Sequence, residues 1–148
     1  MAGPVPWSLL PDHATVDDDG LVIAGVGWRA LVEEFGTPLF VYDEEHLRAR
    51  CREAVAAFGP GVDYATKAFL CRAMARLAHG EGMHLDVSTG GEYAVARAAG
   101  VPASDLVLHG NNKSTDELRT AMADGIGRII VDSFDEMDRL EALVAAGA

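Results

Sequence analysis

A lysine occupies the point where the sequence predicts that an apolar strand gives way to an apolar helix. Lys67 lies in the stretch YATKAFL, and it does not favour a helix start, because its charge opposes the positive end of the helix dipole. An ammonium group held there in apolar surroundings gives up its proton more readily, and the neutral amine attacks carbonyl carbons. Lys67 is therefore a candidate Schiff-base lysine that would act on a substrate ketone or on the aldehyde of pyridoxal phosphate. A lysine that only faces solvent is the alternative.

Polar residues also follow the next two predicted strands. The segment DVSTGGE contains Asp86, Glu92 and the pair Gly90 and Gly91, and the segment HGNNKS begins with His109. The glycines would let the backbone approach a ligand closely at a helix start, although such a start is a weak signal by itself. Each polar residue also has a structural explanation, and for Glu92 it is a hydrogen bond that caps its own helix. The sequence has no recognisable metal-binding spacing.

Alternating strands and helices must position these residues. From Pro38 onward, short apolar strands alternate with helices whose apolar residues recur every 3.6 residues. The predicted strands are Pro38 to Tyr42, Val62 to Thr66, His84 to Val87, Leu106 to His109 and Arg128 to Asp132. Strands joined through helices are parallel, and such folds place their chemistry at the carboxyl ends of the strands. The fold class is α/β, and about five βα units suit either an open doubly wound sheet or part of a barrel.

Three predicted helix starts carry the same signal, a Ser or Thr followed three residues later by Glu. Such a pair predicts a capping box, in which the hydroxyl and the carboxylate satisfy the free amides of the first turn. The pairs are Thr89 with Glu92, Ser114 with Glu117, and Ser133 with Glu136. The first 36 residues differ from the rest, since they are richer in Gly, Pro and Asp, with a possible strand from Leu21 to Val26 and a short helix from Arg29 to Phe35. They indicate an appendage to the repeating part.

Composition restricts the class of protein. Hydrophobic residues make up 49% and charged residues 24% of the 148 residues, which is typical of a folded soluble chain. The formal net charge of -11 does not suit nucleic acid as a partner. Without a basic start followed by an apolar run, or a long apolar stretch, the sequence predicts a cytoplasmic protein that does not enter a membrane. Cys51 and Cys71 are too few for a disulfide framework and are expected to be reduced.

Taken together, these motifs resemble the fold-type III pyridoxal-phosphate-dependent amino-acid decarboxylases. YATK alone would also suit the ornithine and arginine enzymes of that family, whereas HGNNKS after DVSTGGE resembles the branch that acts on meso-diaminopimelate. The matching segments are FGTPLFVYD (35–43), YATKAF (64–69), HLDVSTGGE (84–92), HGNNKS (109–114) and IVDSFDEMDRL (130–140).

The resemblance implies a (βα)8 barrel of the TIM type that is incomplete here. Residues 37–148 would be the first part of a barrel that binds pyridoxal 5'-phosphate, and residues 1–36 would belong to a second, β-rich domain. Lys67 would form the Schiff base with the cofactor, Asp86 and Glu92 would lie near it, and His109 would lie at the same mouth with the two glycines. The implied reaction converts meso-2,6-diaminopimelate to L-lysine, and the full-length enzyme is expected to be a homodimer.

The chain also departs from the family pattern. It stops before the family's later phosphate-binding segment, its later histidine, the acid that pairs with the pyridine nitrogen and the residues that close the site across a dimer. The sequence is therefore interpreted as the N-terminal part of such an enzyme, and it is expected to be inactive by itself. The alternatives are an ornithine or arginine type of decarboxylase, a cofactor-free Schiff-base aldolase, a non-catalytic pyridoxal-phosphate carrier and an interaction fragment.

Overall fold

The structure is a computed structural model that describes residues 7–147 of the chain. Contacts between Cα atoms divide it into two compact units, with the boundary between Arg50 and Cys51. Each unit is described by itself below, and the domain boundary that the sequence predicts after residue 36 stays a prediction. In the described part of the chain no helix combines the length and the apolar character needed to cross a membrane.

The first unit contains a small antiparallel sheet. Its strands are β1 (Thr15–Asp17), β2 (Gly20–Ile23) and β3 (Val26–Gly27), and helix α1 (Trp28–Phe35) follows directly. The prediction of one strand from Leu21 to Val26 is wrong, because the chain reverses at Ala24 and Gly25, whose φ angles are 50° and 79°. Two consecutive residues with positive φ give the turn whose twist matches a hairpin. The short helix predicted after the strand is confirmed.

The prediction of a strand from Pro38 to Tyr42 is also wrong. This segment belongs to neither sheet of the described chain, and the side chain of Phe40 is 85% exposed. Apolar residues indicate that a segment suits a sheet, but a strand also needs a neighbour with which to exchange hydrogen bonds. Helix α2 (Glu44–Phe58) follows, and the buried Asp43 caps it by accepting a hydrogen bond from the backbone amide of His46 at 3.1 Å.

The second unit is a parallel α/β structure, as the sequence predicts. Its sheet has the strand order β4-β5-β6-β7 and all three strand pairs are parallel. The strands are β4 (Asp63–Ala65), β5 (His84–Val87), β6 (Leu106–Leu108) and β7 (Arg128–Ile129). The helices after them are α3 (Arg72–Gly80), α4 (Gly90–Ala98), α5 (Thr115–Ala123) and α6 (Phe134–Ala145). Four of the five predicted strands are thus confirmed, and three of these four are shorter than predicted.

The two faces of strand β5 differ in burial. On β5, Leu85 and Val87 are fully buried on the side where α3 and α4 contact the strand. Side chains alternate between the faces of a strand, so His84 and Asp86 lie on the other face, where both are only half-buried. A doubly wound sheet has helices on both faces. The polar, partly exposed face of β5 therefore favours the barrel alternative over the open sheet.

The helix starts follow the predicted capping pattern in two cases of three. Thr89 with Glu92 and Ser114 with Glu117 form complete capping boxes at the starts of α4 and α5. At α6, Ser133 accepts a hydrogen bond from the amide of Glu136, but the carboxylate of Glu136 does not return to the amide of Ser133. That carboxylate instead accepts from the amide of Asp132 at 2.9 Å. The third prediction is therefore right for the hydroxyl of Ser133 and wrong for the carboxylate of Glu136. That carboxylate is also paired with the buried ammonium group of Lys113.

The two cysteines are free, as predicted, but they differ in setting. Cys51 is buried in α2, whereas Cys71 lies just before α3 and its Sγ accepts a hydrogen bond from the amide of Met74 at 3.5 Å. Helix α3 therefore begins at Arg72, later than the apolar pattern predicts, because the chain first makes a short 3-10 turn.

Gly127 is a position where the fold cannot accommodate a side chain. A Cβ atom there would lie 2.0 Å from the backbone oxygen of Ser104, and backbone atoms cannot rotate away. Gly127→Ala is expected to lower the free energy of unfolding by about 1–3 kcal/mol, measured by urea denaturation, because forced overpacking costs that much.

Gly80→Ala is the matched control. Gly80 lies at the end of α3 with no atom within 4 Å of an added Cβ. Its substitution is expected to leave the free energy of unfolding unchanged or to raise it by up to about 1 kcal/mol, because alanine favours helix over glycine. Equal effects of the two substitutions would contradict the close contact at Gly127.

Candidate active site

Lys67 lies in the 3-10 turn Thr66–Ala68, directly after β4. The turn is fixed by Thr66, which is buried and whose Oγ1 donates a hydrogen bond to the backbone oxygen of Asp86 at 2.8 Å. The side chain of Lys67 is exposed, so the apolar surroundings expected from the sequence are not found. The predicted position at a strand end is correct, and the amine is accessible from solvent.

Asp86 lies near the end of β5, His109 directly follows β6, and the two side chains meet at the same edge of the sheet. The Oδ2 atom of Asp86 is 3.4 Å from Nδ1 of His109, at the long end of hydrogen-bonding distances. The backbone amide of His109 donates to the oxygen of Val87 at 2.9 Å, and its ring is 48% exposed. The second oxygen of Asp86, Oδ1, is buried and has no hydrogen-bond partner among the described residues. An orphaned carboxylate oxygen of this kind suits a donor that a bound molecule supplies.

The register of the sheet relates Lys67 to this pair. Ala65 is opposite Asp86, and Asp86 is opposite Val107. Lys67 lies two residues after Ala65, and His109 lies two residues after Val107. Both therefore follow their strands at the same distance from this row. The exposed amine, the carboxylate and the imidazole therefore come from three consecutive strands and share one edge of the sheet, as predicted.

The glycine-rich start of α4 is filled by two carboxylates of the chain itself. The Oε2 atom of Glu92 accepts hydrogen bonds from the amides of Ser88 at 2.6 Å and Thr89 at 3.1 Å. The amide of Gly90 donates to Oε1 of Glu117 at 2.6 Å. Glu92 thus acts as the capping acid that the sequence allowed, and its predicted place near a cofactor stays a prediction.

The close approach at Gly90 is made by Glu117 of the next helix. A Cβ atom at Gly90 would lie 3.2 Å from the side chain of Glu117. The backbone at Gly90 therefore comes close to a side chain from the first turn of α5, and its predicted approach to a ligand stays a prediction. The capping box reveals Glu117 as the acid of its own helix, but nothing in the sequence shows that it also reaches the previous loop.

Hydrogen bonds shift the pKa of Glu117. The amides of Ser114 and Gly90 donate to its carboxylate and lower the pKa below the ordinary value of 4.5, against a smaller opposing effect of burial. Because these hydrogen bonds stabilise the charged form, the carboxylate links the loops after β5 and β6 as long as it is ionised.

Lys113, the fifth residue of HGNNKS, lies in the loop that follows His109. The sequence does not reveal the surroundings of its side chain. Its side chain is fully buried, and its Nζ donates to the backbone oxygens of Gly110 and Ile130. The chain has two lysines, and the other one is Lys67. Lys67 is therefore the one exposed side-chain amine in the part of the chain that the structure describes.

The arrangement fits pyridoxal phosphate in part. Lys67 supplies the amine that the cofactor aldehyde requires, and Asp86 and His109 supply a carboxylate and an aromatic ring beside it. The amides at the start of α4 that would suit a phosphate already donate to Glu92 and Glu117. An amine and a carboxylate–imidazole pair at the strand ends of a parallel sheet would suit one portion of a Schiff-base enzyme site.

Comparisons with known proteins show the family. Residues 44–147 match the model of the pyridoxal-dependent decarboxylases, pyridoxal binding domain. The chain belongs to this family, which confirms the predicted resemblance and cofactor. Diaminopimelate decarboxylase of Mycobacterium tuberculosis is 53% identical over 136 residues, which cover 90% of this chain and 30% of that protein.

Solved structures agree with this assignment. Diaminopimelate decarboxylase of M. jannaschii, in complex with L-lysine, has a TM-score of 0.86 and 29% identity over 92% of this chain and 33% of that one. A lysine/ornithine decarboxylase of Vibrio vulnificus, in complex with putrescine, has a TM-score of 0.70 and 30% identity over 77% of this chain and 32% of that one. The chain spans about a third of the length of these proteins, and the predicted fold class is confirmed for that portion.

The link through Glu117 predicts a pH-dependent contribution to stability. Since its pKa is lower in the folded state than the ordinary 4.5, this contribution is present above about pH 4.5 and is lost as the pH falls through the folded-state value. Glu117→Gln is expected to lower the free energy of unfolding by about 1–2 kcal/mol at pH 7, because it removes hydrogen bonds to a charged acceptor. The loss should shrink steadily below pH 4.5, as measured by urea denaturation.

Glu141→Gln is the control for this test, since Glu141 is an exposed carboxylate of α6. It is expected to change the free energy of unfolding by less than about 0.5 kcal/mol both at pH 7 and below pH 4.5, as surface substitutions do. A loss for Glu117→Gln that is the same at every pH would show that its charge does not matter.

Proposed function

We propose that the chain forms the lysine-bearing part of a pyridoxal-phosphate-dependent enzyme that decarboxylates meso-2,6-diaminopimelate to L-lysine. The observation that carries the proposal is the exposed Lys67 at the strand edge that also bears the Asp86–His109 pair. The substrate rests on the named relatives, among them the Mycobacterium tuberculosis enzyme. A homodimer and a cytoplasmic location are part of the same proposal; the homodimer rests on the resemblance to the family, and the location rests on the composition of the sequence.

The residues of this chain would act by binding and orientation. When bound, pyridoxal phosphate supplies an aldehyde that combines with amines and a ring that accepts the electron pair left when carbon dioxide departs. Lys67 presents its Nζ to solvent, where it can meet the aldehyde once it has lost a proton. Asp86 holds the ring of His109 through Oδ2 and keeps its buried Oδ1 as an acceptor for the bound molecule. With Nδ1 of His109 directed at a carboxylate, the Nε2 atom is left as the acceptor of the neutral ring.

A basic amino-acid decarboxylase of the ornithine or arginine type is the second candidate. It is supported by the structural likeness to the Vibrio vulnificus enzyme that is described with putrescine. Decarboxylation assays with diaminopimelate, ornithine and arginine as substrates of an enzyme that contains this chain distinguish the two types of decarboxylase. A non-catalytic pyridoxal-phosphate carrier would share the lysine and lack turnover.

Covalent trapping at Lys67 tests the cofactor site. The purified chain is incubated with limiting pyridoxal phosphate, reduced with borohydride and digested, and the adduct is located by peptide mass spectrometry. The adduct is expected at Lys67, and the N-terminal amine of the same chain serves as an internal reference for plain amine reactivity. Lys67→Arg should abolish this labelling and leave that of the N-terminus unchanged.

A matched pair of acid variants distinguishes a cofactor site formed by several residues from a lysine that is labelled only because it is exposed. Asp86 and Asp63 lie on the same face of neighbouring strands, but Asp63 is opposite His84, two residues before the row that contains Asp86. Asp86→Asn is expected to reduce labelling of Lys67 by about tenfold, as the loss of supporting residues around a bound group does. Asp63→Asn should leave it unchanged. Labelling of Lys67 that matches the N-terminus in every variant would mean that this chain holds no cofactor site.

A further inference from the structure

A buried cation lies beneath the edge that carries the candidate site. The side chain of Lys113 is completely buried, and so is the carboxylate of its partner Glu136, whose Oε1 lies 2.9 Å from Nζ. Burying an ion costs free energy unless it is paired and hydrogen-bonded. The chain therefore retains two buried charges in a position where an apolar pair of similar size would cost less.

The hydrogen-bonding capacity of the ammonium is fully used. It has three N–H donors, and its near partners are the backbone oxygen of Gly110, that of Ile130 at 2.7 Å and the carboxylate of Glu136. Asp132 lies farther away, with Oδ2 at 3.4 Å from Nζ. The cation thus joins the loop after β6 to the end of β7 and to the first turn of α6.

The backbone of Lys113 and its acidic partner are held as well. The oxygen of Lys113 accepts a hydrogen bond from Nη1 of Arg139 at 2.6 Å. The other oxygen of Glu136, Oε2, accepts from the amide of Asp132. Both ends of Lys113 are therefore held from outside its own loop, since Arg139 binds its backbone oxygen and Ile130 and Glu136 bind its ammonium group.

The contact with Gly110 reaches the candidate site directly. Gly110 follows His109, has a φ angle of 128° and packs against Ser88, whose oxygen would be 3.4 Å from an added Cβ. His109 is held on its other side by the hydrogen bond from its amide to Val87. The backbone of His109 is thus fixed between the end of β5 and the ammonium group of Lys113.

We infer that Lys113 is a positioning residue of the candidate site. By donating to the oxygen of Gly110 it holds the ring of His109 beside Asp86, and so it strengthens the binding of pyridoxal phosphate without contacting it. The inference rests on the proposed function, in which His109 and Asp86 lie against the cofactor. The two lysines of the chain then have separate roles, since Lys67 reacts and Lys113 orients.

The variant that tests this role must not leave a buried charge behind. Lys113→Met alone would leave the buried carboxylate of Glu136 without its cationic partner, and the resulting loss of stability would mask any effect on the site. The double variant Lys113→Met with Glu136→Gln removes both charges, and the glutamine keeps an acceptor for the amide of Asp132. The oxygens of Gly110 and Ile130 lose their buried donor in this variant, which is the change to be tested.

A core variant provides the control for general loss of stability. Val101 is buried near the amino-terminal ends of the strands, away from the candidate site. The Val101→Ala chain is compared with the double variant by thermal unfolding and by titration with pyridoxal phosphate, which is followed by absorbance and by trapping at Lys67. The double variant is expected to bind the cofactor about tenfold more weakly than the unmodified chain, as loss of a supporting residue does. Val101→Ala should stay within about twofold, because distant sites act independently.

Hydrogen exchange gives a readout that does not depend on the cofactor. In the double variant the peptide that contains residues 109–112 should exchange faster than in the unmodified chain, while the peptide around the turn Thr66–Ala68 should not change. If the unmodified chain forms no adduct at Lys67, the proposed function fails, and the exchange of residues 109–112 still decides whether Lys113 holds the loop. Unchanged exchange there would overturn the inference, and so would equal losses of cofactor affinity in the two variants.

Discussion

The amides at the start of each helix need acceptors, and this requirement organises the edge of the sheet where the candidate site lies. Glu92, Glu117 and Glu136 each accept hydrogen bonds from amides near the start of a helix. A capping acid usually serves its own helix alone. Here Glu117 also binds the amide of Gly90, and Glu136 binds the ammonium of Lys113. Neighbouring βα units are therefore connected through the groups that cap them.

This arrangement limits which groups remain for a ligand. The carboxylates of Glu92 and Glu117 already accept from the amides of Ser88, Thr89 and Gly90, so these three amides are not free to hold an anion from outside. Among the described residues discussed for this edge, the groups that remain for a ligand are the exposed amine of Lys67, the exposed ring of His109 and the buried, unpartnered Oδ1 of Asp86. A cofactor with an aldehyde and a ring can use these three groups, but its phosphate needs donors from elsewhere.

The sequence predicts the second unit well because its signals are local. The apolar strands, the amphipathic helices and the hydroxyl–acid pairs are all patterns that extend over a few residues. Together they are sufficient to place Lys67, Asp86 and His109 at strand ends. The prediction for Pro38 to Tyr42 was wrong because pairing of a strand depends on a distant neighbour. The same limit applies to Lys113, whose four partners include three from residues 130–136.

The contrast between the two lysines follows from the same limit. Both stand just beyond a strand end in segments rich in polar residues, and local sequence does not tell a reactive amine from a structural one. What separates them is the number of acceptors that the fold brings to each. Lys113 is buried and its nitrogen is in contact with carbonyl oxygens and a buried carboxylate, so no molecule from solvent can reach it. Lys67 is exposed on a short turn, so its nitrogen can exchange a proton with water and reach an aldehyde. The fold thus leaves the amine of Lys67 accessible and buries that of Lys113 among the loops that it connects.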